Sequence, residues 1–140
     1  MKRIVKNYIK LFNNLTPETI NDFDKLISKE IIFVDPFNNI QGVDAFKRIF
    51  YHMFENIKKP KFLILDYSIK KQRVYLKWKM TFIAFNSLQT IEGMSELQLN
   101  DVGKVISHID YWDSLNGLFV KIPLIGWFYK LSLFMFKSKT

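Results

Sequence analysis

Apolar residues recur every three to four positions before Pro60 and every second position after it, and this switch restricts the chain to helices first and a sheet second. Ile4, Val5, Tyr8, Ile9 and Phe12 have helical spacing, and Asn13-Asn14 closes that helix. Thr16-Pro17-Glu18 reads as an N-cap, a proline at the first helical position and an early acid, which predicts a second helix to about Ile27. Ile31–Val34 is a short β-branched and aromatic run that Asp35-Pro36 stops. From Val43 to Ile57, the residues Phe46, Ile49, Phe50, Met53, Phe54 and Ile57 trace one stripe of a third helix, which Pro60 forbids to continue.

Beyond Pro60, Phe62–Ile69, Val74–Phe85, Thr90–Leu99 and Val105–Trp112 alternate as strands, separated by Lys70-Lys71-Gln72, Asn86-Ser87-Leu88-Gln89 and Asn100-Asp101-Val102-Gly103. Turns this short join antiparallel neighbours. Val74, Leu76, Trp78, Met80 and Phe82 fall on one face of the long strand, and Tyr75, Lys77, Lys79 and Thr81 on the other. The expected fold is therefore α+β, with three helices of the N-terminal half covering one face of a curved, mainly antiparallel sheet. Helices closing over a bent sheet leave a cone with an apolar mouth.

Two groups of polar residues are placed to use such a mouth. Asp35 follows Phe33-Val34 and precedes Pro36-Phe37, so its backbone is held extended and its carboxylate lies among apolar neighbours. Desolvation there favours the neutral acid and makes the ionised form a stronger base. Capping of the turn through Asn38-Asn39 explains the same residue equally well. On the last strand His108, Asp110 and Trp112 share a face, whereas Ser107, Ile109 and Tyr111 share the other. A His and an Asp two positions apart suit a paired acid and base, or a structural pair at the rim. Tyr8 lies in the buried stripe of the first helix, where its hydroxyl requires a polar partner and is a candidate oxyanion donor.

Other chemistries find no residues. The chain has no cysteine, so disulfides, thiolate metal sites and a cysteine nucleophile are excluded. His108 and Asp110 supply two metal ligands, and the second histidine, His52, lies off the apolar stripe as a surface residue, so no metal and no cofactor is expected. There is no phosphate-cradling glycine loop, no Gly-x-Ser-x-Gly and no His-Glu-x-x-His.

Tyr8–Asn13, Phe33–Phe37, Gly42–Phe46 and Gly103–Asp110, in this order and spacing, resemble the nuclear transport factor 2-like superfamily in its SnoaL-like and ketosteroid-isomerase-like branch. The resemblance implies a cone-shaped α+β barrel with a deep pocket, commonly dimeric, in a family of isomerases, dehydratases, cyclases and non-catalytic binders. It implies that Asp35 corresponds to the general base of the ketosteroid isomerases and Tyr8 to the tyrosine that donates to the enolate oxygen. Ser95 then falls where those isomerases carry a protonated aspartic acid, and serine is a weaker donor. His108 and Asp110 fall on pocket-facing positions of the last strand, where SnoaL-like cyclases use an aspartate as acid and base. Trp78, Met80, Phe82 and Trp112 would form the apolar wall. The expectation is a protein that binds a small apolar, polyketide-like or steroid-like molecule, with isomerisation, dehydration or cyclisation by Asp35 or Asp110 as its chemistry. The alternative is a non-catalytic ligand-binding or interaction module.

The formal charge of +8 invites a nucleic-acid reading until it is located. Residues 1–113, the expected pocket domain, hold 17 basic against 13 acidic side chains, a net +4 that argues against nucleic acid. Residues 114–140 hold Lys121, Lys130, Lys137 and Lys139 and no acid, among six aromatic residues. Pro123 can start a helix there, with Leu124, Trp127, Phe128, Leu131 and Phe134 on one apolar face. Packing on the domain or on a partner copy is its first expected role, and peripheral membrane contact through residues 121–140 its second. The basic start of the chain lacks the apolar stretch of an export signal, so a cytoplasmic protein is expected.

Overall fold

The computed structural model describes residues 1–132. Helix α1 spans Lys2–Asn13 and buries Val5, Tyr8 and Phe12, which recur at its helical period. Its end is fixed twice. The Asn14 side chain donates to the Lys10 carbonyl at 2.8 Å, and Asn13 Oδ1 accepts the backbone N–H of Ile64 at 2.7 Å. The second helical segment, Pro17–Lys25, is a 3₁₀ helix rather than the expected α-helix, and it ends two residues earlier. Thr16 and Thr19 form its capping box, and Ile20 and Phe23 are its buried residues.

Strand β1 runs Ile27–Val34, four residues earlier than the apolar run indicated, and strand β2, Asn39–Gln41, returns beside it after the Asp35 turn. The early start has a tertiary cause. Ile27 pairs with Val105 across a register shift, so the polar Ser28-Lys29-Glu30 stretch is carried as an irregularity between two paired ends. Helix α2 follows as Val43–Asn56, opened by Gly42 at φ 99°, a conformation that glycine adopts without a Cβ penalty.

The remaining strands are β3 (Lys58–Lys70), β4 (Arg73–Ala84), β5 (Ser87–Leu99) and β6 (Val105–Trp112). The sheet order is β2-β1-β6-β5-β4-β3, antiparallel throughout except for the β1–β6 pair. The sheet is curved and open rather than closed into a barrel, with β2 and β3 as its edges. Pro60 lies inside β3, against the expectation that the strand begins at Phe62. An edge strand tolerates a residue without an N–H, and the pairing shifts register between Lys58 and Lys61 to accommodate it. The β4–β5 turn is also tighter than expected. It consists of Phe85 and Asn86, both at positive φ (52° and 57°), the backbone that a two-residue hairpin requires.

The core contains an aromatic cluster. Phe12, Phe23, Phe33, Phe46 and Phe50 are buried together, with centroid separations from 5.0 to 6.4 Å. Truncating one such ring to alanine costs about 3–5 kcal/mol. His108 of β6 sits inside this cluster, with Phe33 5.2 Å and Phe12 5.8 Å from its ring.

After β6, Asp113 accepts the backbone N–H of Asn116 at 3.0 Å and caps a short helix, α3 (Ser114–Gly117). A 3₁₀ turn at Phe119–Lys121 leads into helix α4, Pro123–Ser132. On this helix Leu124, Ile125, Trp127, Phe128 and Leu131 are exposed. Phe134 of the expected face lies outside the described residues.

Candidate functional site

Period-2 alternation places His108 and Asp110 on the inner face of β6, and the β5–β6 register sets Ser95 directly opposite Asp110. One strand further, the side chain of Trp78 on β4 reaches Ser95 across the inner face. Helix α1 contributes Tyr8 from the other side of the core. Tyr8, with no exposed surface, lies with its hydroxyl 2.7 Å from His108 Nδ1. His108 Nε2 lies 2.7 Å from Asp110 Oδ1, which also accepts the hydroxyl hydrogen of Ser95. The indole N–H of Trp78 donates to Ser95 Oγ at 2.8 Å. Five residues from four elements thus form one continuous chain of hydrogen bonds.

The direction of each bond follows from the carboxylate, which accepts at Oδ1 from both Ser95 and His108. Burial, and secondarily the negative charge of Asp110, push the Tyr8 hydroxyl well above its ordinary value of 10.0, so it is a neutral donor. With Nε2–H directed at the Asp110 carboxylate, the remaining ring nitrogen, Nδ1, is the acceptor for the Tyr8 hydroxyl. Ser95, Tyr8 and His108 are all satisfied within the chain, whereas Asp110 Oδ2 has no hydrogen-bond partner among the described residues.

Asp110 lines a cavity of about 430 Å³ at the open end of the fold. Trp78, Met80, Phe82 and Trp112 of the sheet, with Ile49 and Met53 of α2, line it too. Its volume falls in the range of small-molecule sites, and its lining is mostly hydrophobic. Below it lies a hollow of about 20 Å³ bordered by Ser95, His108 and Asp110, room for one water molecule. Phe50, Phe62, Trp78 and Asp110 border both spaces.

Other expected site residues are placed differently. Asp35 stands at the cavity rim, but its Oδ1 accepts the backbone N–H groups of Phe37 and Asn38 at 2.7 and 2.6 Å. The Asn38 amide donates to both oxygens at 3.0 Å. These bonds make Asp35 the cap of the Asp35–Asn38 turn, the second of the two readings its sequence context allows. Tyr8 and Ser95 do not border the 430 Å³ cavity and lie behind Asp110. His52 is exposed and engages Asn56. Among the described residues no group of three or more His, Cys, Asp or Glu side chains is placed to hold a metal ion.

Gly93 is a site residue that sequence patterning does not mark. A Cβ there would lie 2.4 Å from Cζ2 of Trp78 and 2.9 Å from the Tyr111 carbonyl oxygen. The Trp78 indole lies over this bare backbone on its way to Ser95. A glycine in the interior of a strand is the one available signal, since it marks a close approach.

The fold recurs widely among solved structures. An NTF2-like protein of unknown function from Exiguobacterium sp. 255-15 is 23% identical, covers 79% of this chain and 98% of its own, and superposes with a TM-score of 0.67. A candidate SnoaL-like polyketide cyclase from Jannaschia sp. CCS1 is 12% identical over 82% of this chain and 88% of its own, with a TM-score of 0.67. An LEH-like epoxide hydrolase of M. tuberculosis is 14% identical over 97% and 95%, with a TM-score of 0.66. These likenesses establish the fold alone. No curated protein sequence matches the chain. The SnoaL-like domain family model matches residues 5–108, from the first turn of α1 to the buried histidine, and the chain belongs to that family.

Proposed function

We propose that the protein binds a small, largely apolar molecule in the 430 Å³ cavity and that Asp110 is its acid–base group. The observation that carries this reading is the asymmetry of the Asp110 carboxylate. Oδ1 is held by His108 and Ser95, while Oδ2, on a residue that borders the cavity, has no hydrogen-bond partner among the described residues. A carboxylate fixed through one oxygen is positioned to use the other on a ligand. Oδ2 would take a proton from a carbon next to a ligand carbonyl and return it to another position of the same molecule. His108 and Tyr8 act as positioning residues: Tyr8 holds the imidazole at Nδ1 and His108 holds the carboxylate through Nε2. Trp78, Met80, Phe82 and Trp112 exclude water around the reacting atoms.

The likeness to a candidate polyketide cyclase and to an epoxide hydrolase supports a pocket protein acting on small organic molecules, without selecting a reaction. A specific observation favours a second reading, binding without turnover. Tyr8 and Ser95, the donors available for a developing oxyanion, are spent on His108 and Asp110. A thermal-shift panel of bicyclic and tricyclic ketones, followed by turnover assays on each hit, separates the two. Turnover that disappears in Asp110→Asn supports the acid–base reading. Hits that bind equally to both proteins and are never converted support the binder, and no hit at all contradicts both.

A further inference from the structure

We propose that α4 is a docking helix that lays its apolar face on an anionic lipid surface beside the mouth of the cavity. Leu124, Trp127, Phe128 and Leu131 are spaced i, i+3, i+4 and i+7, so they share one face, with Ile125 on its flank. All five are exposed, from 45% at Ile125 to 73% at Leu124. The opposite side of the helix is seated by its smallest residue. Gly126 is buried, and a Cβ there would lie 2.3 Å from the Val120 carbonyl oxygen. The helix thus rests its glycine on the 119–121 turn and directs its large apolar groups away from the domain. A helix that completed the core would be arranged the other way round.

Charge decides between lipid and a second copy of the chain as the occupant. Residues 114–140 carry Lys121, Lys130, Lys137 and Lys139 without a single acid, half of the net charge of +8. Two copies docked through this face would bring two such segments together with no counter-charge, whereas an anionic bilayer supplies it. Tryptophan and phenylalanine suit the boundary between headgroups and acyl chains. No described helix is long and apolar enough to cross a membrane.

The position of the helix gives the contact a consequence. Leu118, ahead of the 3₁₀ turn that leads into α4, lines the cavity, and Phe119 of that turn packs on the cavity residue Phe37 with ring centroids 5.9 Å apart. A docked α4 therefore holds the mouth against the bilayer, and an apolar molecule dissolved there would enter without crossing water. This consequence rests on the cavity being a ligand site, but the docking does not.

Co-sedimentation of the full chain with vesicles tests the proposal. The protein is expected to sediment with phosphatidylcholine vesicles containing about one third phosphatidylglycerol, to stay in solution with phosphatidylcholine alone, and to release as salt rises. The double variant Trp127→Glu and Phe128→Glu is expected to leave at least about tenfold less protein on the anionic vesicles with an unchanged thermal midpoint. Equal sedimentation of the variant, or none of the parent at low salt, overturns the proposal. So does a dimer that forms without lipid and dissociates in the variant, because the face would then belong to a second copy. Sedimentation is read without any pocket ligand, so its failure is distinct from failure of the cavity's chemistry.

Discussion

The hydroxyl of Tyr8 lies 2.7 Å from Nδ1 of His108, one hundred residues away, while Nε2 of the same ring lies 2.7 Å from Asp110 Oδ1. Both side chains are buried among phenylalanines, so a hydrogen bond lost here is not replaced by bulk water. Tyr8→Phe keeps the ring packing and leaves Nδ1 buried without a donor. The expected cost is about 1–3 kcal/mol of stability, read as a lower thermal or denaturant midpoint. The ¹⁵N chemical shifts of His108 should show the Nε2–H tautomer in both proteins, held by Asp110, with the Nδ1 resonance displaced in the variant by the loss of its donor.

Alkaline titration tests the same contact from the unfolded side. Unfolded tyrosine ionises near 10, while buried Tyr8 keeps its proton well above that. Above pH 10 the unfolded state therefore binds fewer protons than the native state, and stability falls with rising pH. The contribution is full below pH 10 and declines by about 1.4 kcal/mol per pH unit above it, until folded Tyr8 itself ionises. Denaturant midpoints measured from pH 8 to 11.5 should fall less steeply in Tyr8→Phe. Equal slopes would show that Tyr8 ionises alike in both states.

Gly93→Ala places a methyl group where the Trp78 ring lies. The Tyr111 carbonyl on the other side blocks escape in that direction, so the indole must shift and the Trp78–Ser95 bond is lost or lengthened. The expected destabilisation is about 1–3 kcal/mol, accompanied by changed tryptophan emission. An unaltered melting curve and spectrum would mean that the ring has room to spare.

The sheet and the last-strand pair were legible because their signals are local. Alternation from Val74 to Phe82 marks the inner face of β4, and the spacing of His108 and Asp110 places both on one side of β6. The 3₁₀ helix at Pro17–Lys25 was legible as a helix only, because its tighter hydrogen-bond pattern leaves its start signals unchanged. The start of β1 at Ile27 and the proline inside β3 depend on pairing partners, Val105 in one case and the free edge in the other. The site shows the same division. Asp35 had the right turn for a base, and the amide groups of Phe37 and Asn38 that occupy it were within view. That the Tyr8 hydroxyl meets His108, and that Trp78 meets Ser95 over Gly93, are tertiary facts with no local pattern.

Proton exchange into a ketone tests the role of Asp110 most directly. The protein is incubated in D₂O with a bicyclic ketone such as 2-tetralone, and loss of the ¹H NMR signal next to the carbonyl is followed for the parent, Asp110→Asn and Asp35→Asn. The expected result is protein-catalysed exchange that falls by about a hundredfold or more in Asp110→Asn and survives in Asp35→Asn. Equal exchange by the parent and Asp110→Asn, or a loss confined to Asp35→Asn, would contradict the assignment of Asp110 as the base.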